Sequence, residues 1–274
     1  MDSRALPAIA LALGSVACGK HTFLAVAFLA TPAVPNPVAG LPDIPSQTVL
    51  TTWIGTIDTT NPTKIDQSKI EMVSGALGTV AFHSGAGSDH DLPLAERGSG
   101  MYTLESGSEP RLTFEPGVHY TVVMLAGKEP REAFGAKLVP APSAHITEFA
   151  GAKLKPHAIA SDFTVTRDDP VGKDGRFLPA FVTVARIDPQ NPTAAPQVTY
   201  TTVPSDGTSL LKFALSDEPH RKGSYVVPSS KAFTSPGFYV VALLVLKYGL
   251  VSENAFLGST AVSGSGDAGI LDVK

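Results

Sequence analysis

Asp89-His90-Asp91 is the densest group of side chains able to bind a metal or move a proton in this chain. Two carboxylates around an imidazole suit a divalent ion, but a closed site needs a further ligand from elsewhere in the fold. The seven histidines (His21, His83, His90, His119, His145, His157 and His220) contain no His-x-x-x-His pair. Asp168-Asp169-Pro170 and Asp174-Gly175 offer oxygens to calcium without the alternating spacing of an EF-hand loop, and the same residues suit a plain turn. Gly98-Ser99-Gly100 and Gly264-Ser265-Gly266 set a serine between glycines, but neither is the Gly-x-Ser-x-Gly elbow of a nucleophile. The run Gly264–Gly269 carries no lysine for phosphate and reads as a loop or hairpin tip. No catalytic residue, metal ligand or cofactor site is therefore assigned. A net charge of −4 supplies no broad basic field, so nucleic acid is not expected as a partner.

The elements that must carry these residues announce themselves by repetition. Ile57-Asp58-Thr59-Thr60-Asn61-Pro62-Thr63 returns 130 residues later as Ile187-Asp188-Pro189-Gln190-Asn191-Pro192-Thr193. Pro116-Gly117-Val118-His119-Tyr120-Thr121-Val122 is echoed by Pro236-Gly237-Phe238-Tyr239-Val240-Val241. A repeat of this period implies two related units in tandem. The repeated Asn-Pro-Thr reads as a turn after a strand, with Asp capping and Pro fixing φ. With 25 Gly and 23 Pro, the chain is cut into short segments unsuited to long helices.

Those segments alternate or run apolar over lengths typical of strands. In the first copy they are Val49–Ile57, Lys69–Val73, Gly78–His83, Gly100–Leu104, Arg111–Phe114, Tyr120–Leu125 and Phe134–Val139, with insertions expected in Ser84–Asp91 and Glu105–Glu109. In the second they are Phe163–Val165, Phe181–Ile187, Val198–Val203, Leu210–Leu215, Ser224–Val227, Phe238–Lys247, Ala255–Ala261 and Ile270–Val273. Regularly spaced short strands between turns argue for β-sandwiches. Phe23–Leu29 fits as an opening strand of the first copy, matched to Phe163–Val165. On the 130-residue offset Trp53 faces Thr183, so it is not a core residue common to both copies.

The N-terminus carries a different message. The run from Ala5 to Ala17 is shorter than the ~20 apolar residues of a membrane span and has the length of a signal-peptide core. It ends Ser15-Val16-Ala17-Cys18-Gly19, which resembles a bacterial lipoprotein signal. That resemblance implies cleavage before Cys18, which becomes the lipidated N-terminus of the mature chain, each buried CH₂ contributing about 0.8 kcal/mol to membrane binding. Two other readings stand beside it. One is ordinary secretion with cleavage near Ala30 or Ala33, the other a misassigned start or a buried, structural Cys18. Cys18 is the only cysteine, so no internal disulfide staples either unit.

The Pro-Gly turn leading to a tyrosine at a strand start, Pro116-Gly117 with Tyr120 and Pro236-Gly237 with Tyr239, resembles the tyrosine corner of immunoglobulin-like and fibronectin type III-like sandwiches. The resemblance implies an all-β chain of two tandem Greek-key immunoglobulin-like sandwiches. The expected plan is a signal peptide over 1–17, a first sandwich with its N-terminal tether over 18–142, a linker over 143–158 and a second sandwich over 159–274. By analogy such a chain is a non-catalytic cell-envelope protein for binding, adhesion or scaffolding. Its expected contacts are the membrane, through a lipid on Cys18, and a protein or polysaccharide partner. The alternative is a carbohydrate-binding or accessory module of an extracellular enzyme system. That reading requires exposed aromatics in a row, for which Trp53, Tyr102, Tyr200 and Tyr248 are the candidates.

Overall fold

The computed structural model describes residues 19–59, 70–127, 130–141, 143–168, 176–191, 194, 197–203, 221–256 and 259–274. Cys18, Asn61-Pro62-Thr63, Asp169–Gly175, Pro192-Thr193, Leu210–Leu215 and His220 lie outside the described residues. The chain is all-β. In order, the strands are β1 (Gly19–Thr31), β2 (Gln47–Thr59), β3 (Ile70–Met72), β4 (Leu77–His83), β5 (Asp89–Pro93), β6 (Ala95–Gly98), β7 (Met101–Glu105), β8 (Tyr120–Ala126) and β9 (Glu132–Leu138). They continue as β10 (His145–Ile146), β11 (Leu154–His157), β12 (Phe163–Asp168), β13 (Ala180–Ile187), β14 (Gln197–Thr201), β15 (Ser224–Val227), β16 (Gly237–Tyr248), β17 (Leu250–Val251) and β18 (Thr260–Val273). A 3-10 turn at Thr147–Phe149 and one helical turn at Ser229–Ala232 interrupt them. Among the described residues no helix is long and apolar enough to cross a membrane.

Strand order identifies the architecture. Strands β1-β2-β7-β6 lie side by side, facing a second sheet ordered β17-β9-β8-β4-β5. These are the A-B-E-D and G-F-C-C′ orders of an immunoglobulin-like sandwich, with β17 added at one edge. Period-two alternation builds the core between them: Leu24, Val26 and Phe28 from β1 meet Val80 and Phe82 from β4 and Tyr120, Val122 and Met124 from β8. Further along the chain, β10-β12-β15 faces β14-β13-β16-β18, again in A-B-E against C′-C-F-G order. Val182, Val184, Tyr239, Val241 and Leu243 fill this second core.

The segment 143–158, read from sequence as a linker, contributes β10, the 3-10 turn and β11. Ile146 and Phe149 from it enter the second core. β11 runs parallel to the end of β18, pairing Leu154 with Ile270 and His157 with Val273.

The two sandwiches share one continuous ten-stranded sheet. β18 is the last strand of the second sandwich, yet its first half pairs in parallel with β1, from Ala25↔Thr260 to Ala30↔Ser265. Its other edge pairs with β16 of the second sandwich along nearly its whole length, from Val262 to Val273. Ala261 at one end belongs to the first core, and Leu271 and Val273 at the other to the second. The Gly264–Gly269 run is thus the middle of the longest strand, not a hairpin tip. The reason is crowding. A Cβ on Gly266 would lie 1.7 Å from the Leu243 carbonyl oxygen, and one on Gly269 would lie 2.3 Å from the Phe149 ring.

The connection between β1 and β2 packs back over the outer face of β16 and β18. Val34 and Ile44 bridge each other and sit on Ala268 and Ile270. Asn36 pins this flap: its side chain accepts from Val38 N (2.9 Å) and donates to Pro42 O (3.0 Å) and Pro189 O (3.1 Å).

The strand pairings also revise the repeat. Ile57 ends β2, which lies between β1 and β7, whereas Ile187 ends β13, which lies between β14 and β16. The first echo therefore equates a B strand with a C strand, and Trp53 and Thr183 are not counterparts. Phe23–Leu29 lies in a strand of the first sandwich, β1, but as an A strand it does not correspond to β12. The Tyr120 and Tyr239 echo does equate like strands, β8 and β16.

Candidate functional site

β4, β5 and the approach to β8 build a shallow open concavity of about 500 Å³, lined by Ala81, Phe82, Asp89, His90, Asp91, His119 and Thr121. The strand period decides what this group can do. Asp89 and Asp91 project outward from β5, whereas His90 turns toward the core and stacks on Phe82 at 4.9 Å. The triplet thus cannot converge on one ion, and no group of three His, Cys, Asp or Glu forms a metal site among the described residues. His83 Nδ1 lies 2.8 Å from Asp89 Oδ1, with both side chains largely in water. Hydrogen bonding and charge on an exposed surface are the chemistry available here.

An aromatic chain ties this concavity to the core. His90 meets Phe82, Phe82 meets Tyr120 at 4.8 Å, and Tyr120 meets Phe28 at 4.7 Å. The Tyr120 hydroxyl donates to Thr113 O (2.7 Å) and accepts from Glu115 N (3.0 Å), which fixes the corner before β8. Burial pushes the phenol's pKa up. Gly117 turns at φ +82°, and its N–H donates to Pro140 O. The segment Arg111–Phe114, expected as a strand, is this corner; Leu112 is buried beneath it.

Glu115 was not singled out by its sequence context. Its carboxylate accepts from Thr113 Oγ1 (2.7 Å) and from Gly85 N (2.6 Å), stitching the β4–β5 turn to the corner. The Thr113 bond and then the Gly85 bond hold its pKa below the usual value.

Tyr239 forms the second corner. Its hydroxyl donates to Ser235 O (2.7 Å), and Ser235 N reaches back at 3.4 Å. Gly237 sits at φ +146°, where a side chain is strained, and Pro236 O accepts from Arg186 Nη2.

A further group missed by sequence lies where the two cores meet. Asp267 is only 6% exposed on β18, on the core side between Ser265 and Gly269. It accepts from Ile146 N (3.0 Å) and Ala268 N (2.9 Å) and pairs with Lys153. A lone aspartate within a glycine-rich run gives no signal of this without the tertiary contact.

The aromatic candidates separate. Tyr102 is buried, its hydroxyl donating to Val73 O and accepting from Ala76 N. Tyr200 packs on the second core. Trp53 and Tyr248 share the outer face of the ten-stranded sheet, but β1 and β18 lie between their strands, about 14 Å in all. They form no row.

Two sandwich orders and two tyrosine corners thus define an immunoglobulin-like class of protein. No family model matches the chain, and no curated protein matches it. Three solved structures align with it at low identity. The tetra-tandem repeat in the extending region of a large adhesion protein is 13% identical with a TM-score of 0.23; the alignment covers 92% of this chain and 50% of that one. The fibronectin(III)-like modules of Clostridium thermocellum CbhA are 11% identical over 83% of this chain and 85% of theirs, TM-score 0.22. DIP-gamma IG1+IG2 is 8% identical over 93% and 97%, TM-score 0.19. These scores place the chain in none of those families, and the class rests on its own strand order.

Proposed function

We propose that this chain is a non-catalytic cell-envelope protein that binds or scaffolds partners, held to a membrane by a lipid on Cys18. The observation that carries the reading is the shared sheet. Parallel pairing of β1 with β18, reinforced by the Asn36 flap, holds two sandwiches at a fixed spacing. Fixed spacing serves presentation of a surface and does nothing for turnover. Direction supports the anchor. β1 starts next to Cys18, and β18 runs parallel to it and on through 266–273, about 26 Å of further strand at ~3.3 Å per residue. An acyl group at Cys18 would therefore leave the second sandwich projecting away from the membrane.

Two measurements test this. Intact-mass analysis of membrane-extracted protein is expected to find an acylated chain starting at Cys18; a mature chain starting near Val34 defeats the anchor. In-cell cross-linking from the Asp89–Asp91 concavity is expected to trap a specific protein or polysaccharide, and recovery of uncross-linked chain alone defeats the binding role.

A further inference from the structure

The outer face of the β17-β9-β8-β4-β5 sheet has nothing packed over it among the described residues. The registers place Asp91, Ala81, Thr121 and Lys137 in one cross-strand row, each directly beside the next. Directly paired residues point to the same side of a sheet. Thus one row runs from a carboxylate, across two small neutral residues, to an ammonium. Both charged residues are exposed, and neither has an ion-pair or hydrogen-bond partner for its side chain among the described residues. On one side the next rows are mostly apolar, Thr79 beside Val123 and then Leu77 beside Leu125, with Leu77 58% exposed; on the other side lies the exposed His83–Asp89 pair.

We infer that this face pairs with the same face of a second copy of this chain. Rotation by 180° about an axis along the strands, between β4 and β8, reverses the β9-β8-β4-β5 part of each row onto itself and leaves Leu250 of β17 beyond Lys137 at the margin. Asp91 of one copy then lies over Lys137 of the other, twice by symmetry. Ala81 lies over Thr121, Thr79 over Val123 and Leu77 over Leu125, so that the mostly apolar rows meet each other, with the His83–Asp89 pair at one end of the contact. Strands of the two sheets stay nearly aligned, the common geometry for packed sheets, and the contact is self-complementary as a two-fold interface requires. Four strands at ~4.8 Å spacing and three residue rows cover roughly 400 Å² per copy. That is below the ~800 Å² per partner of a standard stable complex, so the pairing is weak and concentration-dependent.

This specifies one partner of the binding role proposed above and is separable from it. Sedimentation velocity on the purified full chain, from about 10 to 500 µM to suit so small a contact, is expected to show a monomer–dimer equilibrium. Asp91→Lys or Lys137→Asp sets like charges opposite each other twice and is expected to raise the dimer Kd at least about tenfold. The double variant Asp91→Lys/Lys137→Asp restores both pairs and is expected to recover dimerisation. Both positions are exposed, so unchanged thermal midpoints are expected to confirm intact folding. A chain monomeric throughout, single swaps without effect, or a double swap as weak as the singles overturns the proposal. A monomer that still traps another envelope component overturns self-pairing alone and leaves the binding role standing.

Discussion

Tyr120 and Tyr239 hold the same place at the start of the F strand, yet their corners are closed by different means. Tyr120 makes two good hydrogen bonds to a corner that Glu115 braces from the β4–β5 turn, and its ring continues a stack from His90 to Phe28. Tyr239 makes one good bond and one long one, and among the described residues its ring meets Phe233 edge-on at 5.4 Å, which in turn meets His157. The first sandwich is fastened from within. The second leans on β18 and on the Asp267–Lys153 pair, which tie its opening strands to the shared sheet. One fold thus tolerates two distributions of its fastening energy.

The sharpest way to break this comparison is Asp267→Ala. It strands the Ile146 and Ala268 N–H groups and leaves Lys153 without its partner. Losing one member of a buried pair costs ~3–5 kcal/mol. Since the Lys153 side chain is 35% exposed, about 3 kcal/mol is expected. Hydrogen exchange is expected to rise in β10, β11 and β12 before β4 and β8. Equal loss across both sandwiches would mean that the junction serves them alike.

Next in size is the pair of hydroxyl deletions. Tyr120→Phe leaves the Thr113 carbonyl and the Glu115 N–H without their shared partner and is expected to cost about 2 kcal/mol. Tyr239→Phe forfeits one strong bond and is expected to cost about 1 kcal/mol. Urea denaturation of the two variants measures the difference directly. Equal costs would show that Glu115 adds nothing to the first corner.

What was legible in the sequence follows the same division between local and tertiary causes. A Pro-Gly turn feeding a tyrosine is local, so both corners could be placed by residue. Alternating strands such as Ser224–Val227 were readable because period two survives without neighbours. β5 and β6 were not, because exposed edge strands carry Asp, His, Glu and Arg and look like loops. β18 was misread because its glycines answer to the Leu243 carbonyl and the Phe149 ring, partners far away in sequence. The Asn-Pro-Thr echo misaligns the copies because the same local run of residues follows unlike strands, β2 and β13. The concavity was half visible: Asp89-His90-Asp91 drew notice, but only the pleat shows that its members part to opposite faces.

A smaller effect separates the cores by a defect. Thr52 is fully buried in the first, and its hydroxyl has no hydrogen-bond partner among the described residues. Thr52→Val keeps the shape and removes the orphan group, so a gain of about 1 kcal/mol is expected. A calorimetric midpoint that falls instead would show that the hydroxyl is satisfied in solution.

The smallest effect is confined to acid. The Thr113 and Gly85 bonds favour ionised Glu115, so its folded-state pKa lies below the ordinary value of 4.5. A depressed carboxylate adds stability above its unfolded pKa and loses it as pH falls through the folded one. Glu115→Gln removes that dependence while keeping an acceptor for the Gly85 N–H. The stability gap between parent and variant is therefore expected to hold steady from neutral pH down to the unfolded value, then narrow below about 4.5. Among the described residues Tyr239 has no carboxylate bonded at its corner, so Tyr239→Phe is expected to leave the acid slope unchanged. Denaturation of the parent and both variants across this range checks the pair. A gap for Glu115→Gln that does not narrow in acid would remove the carboxylate from the account and leave the aromatic stack as the first sandwich's distinguishing fastening.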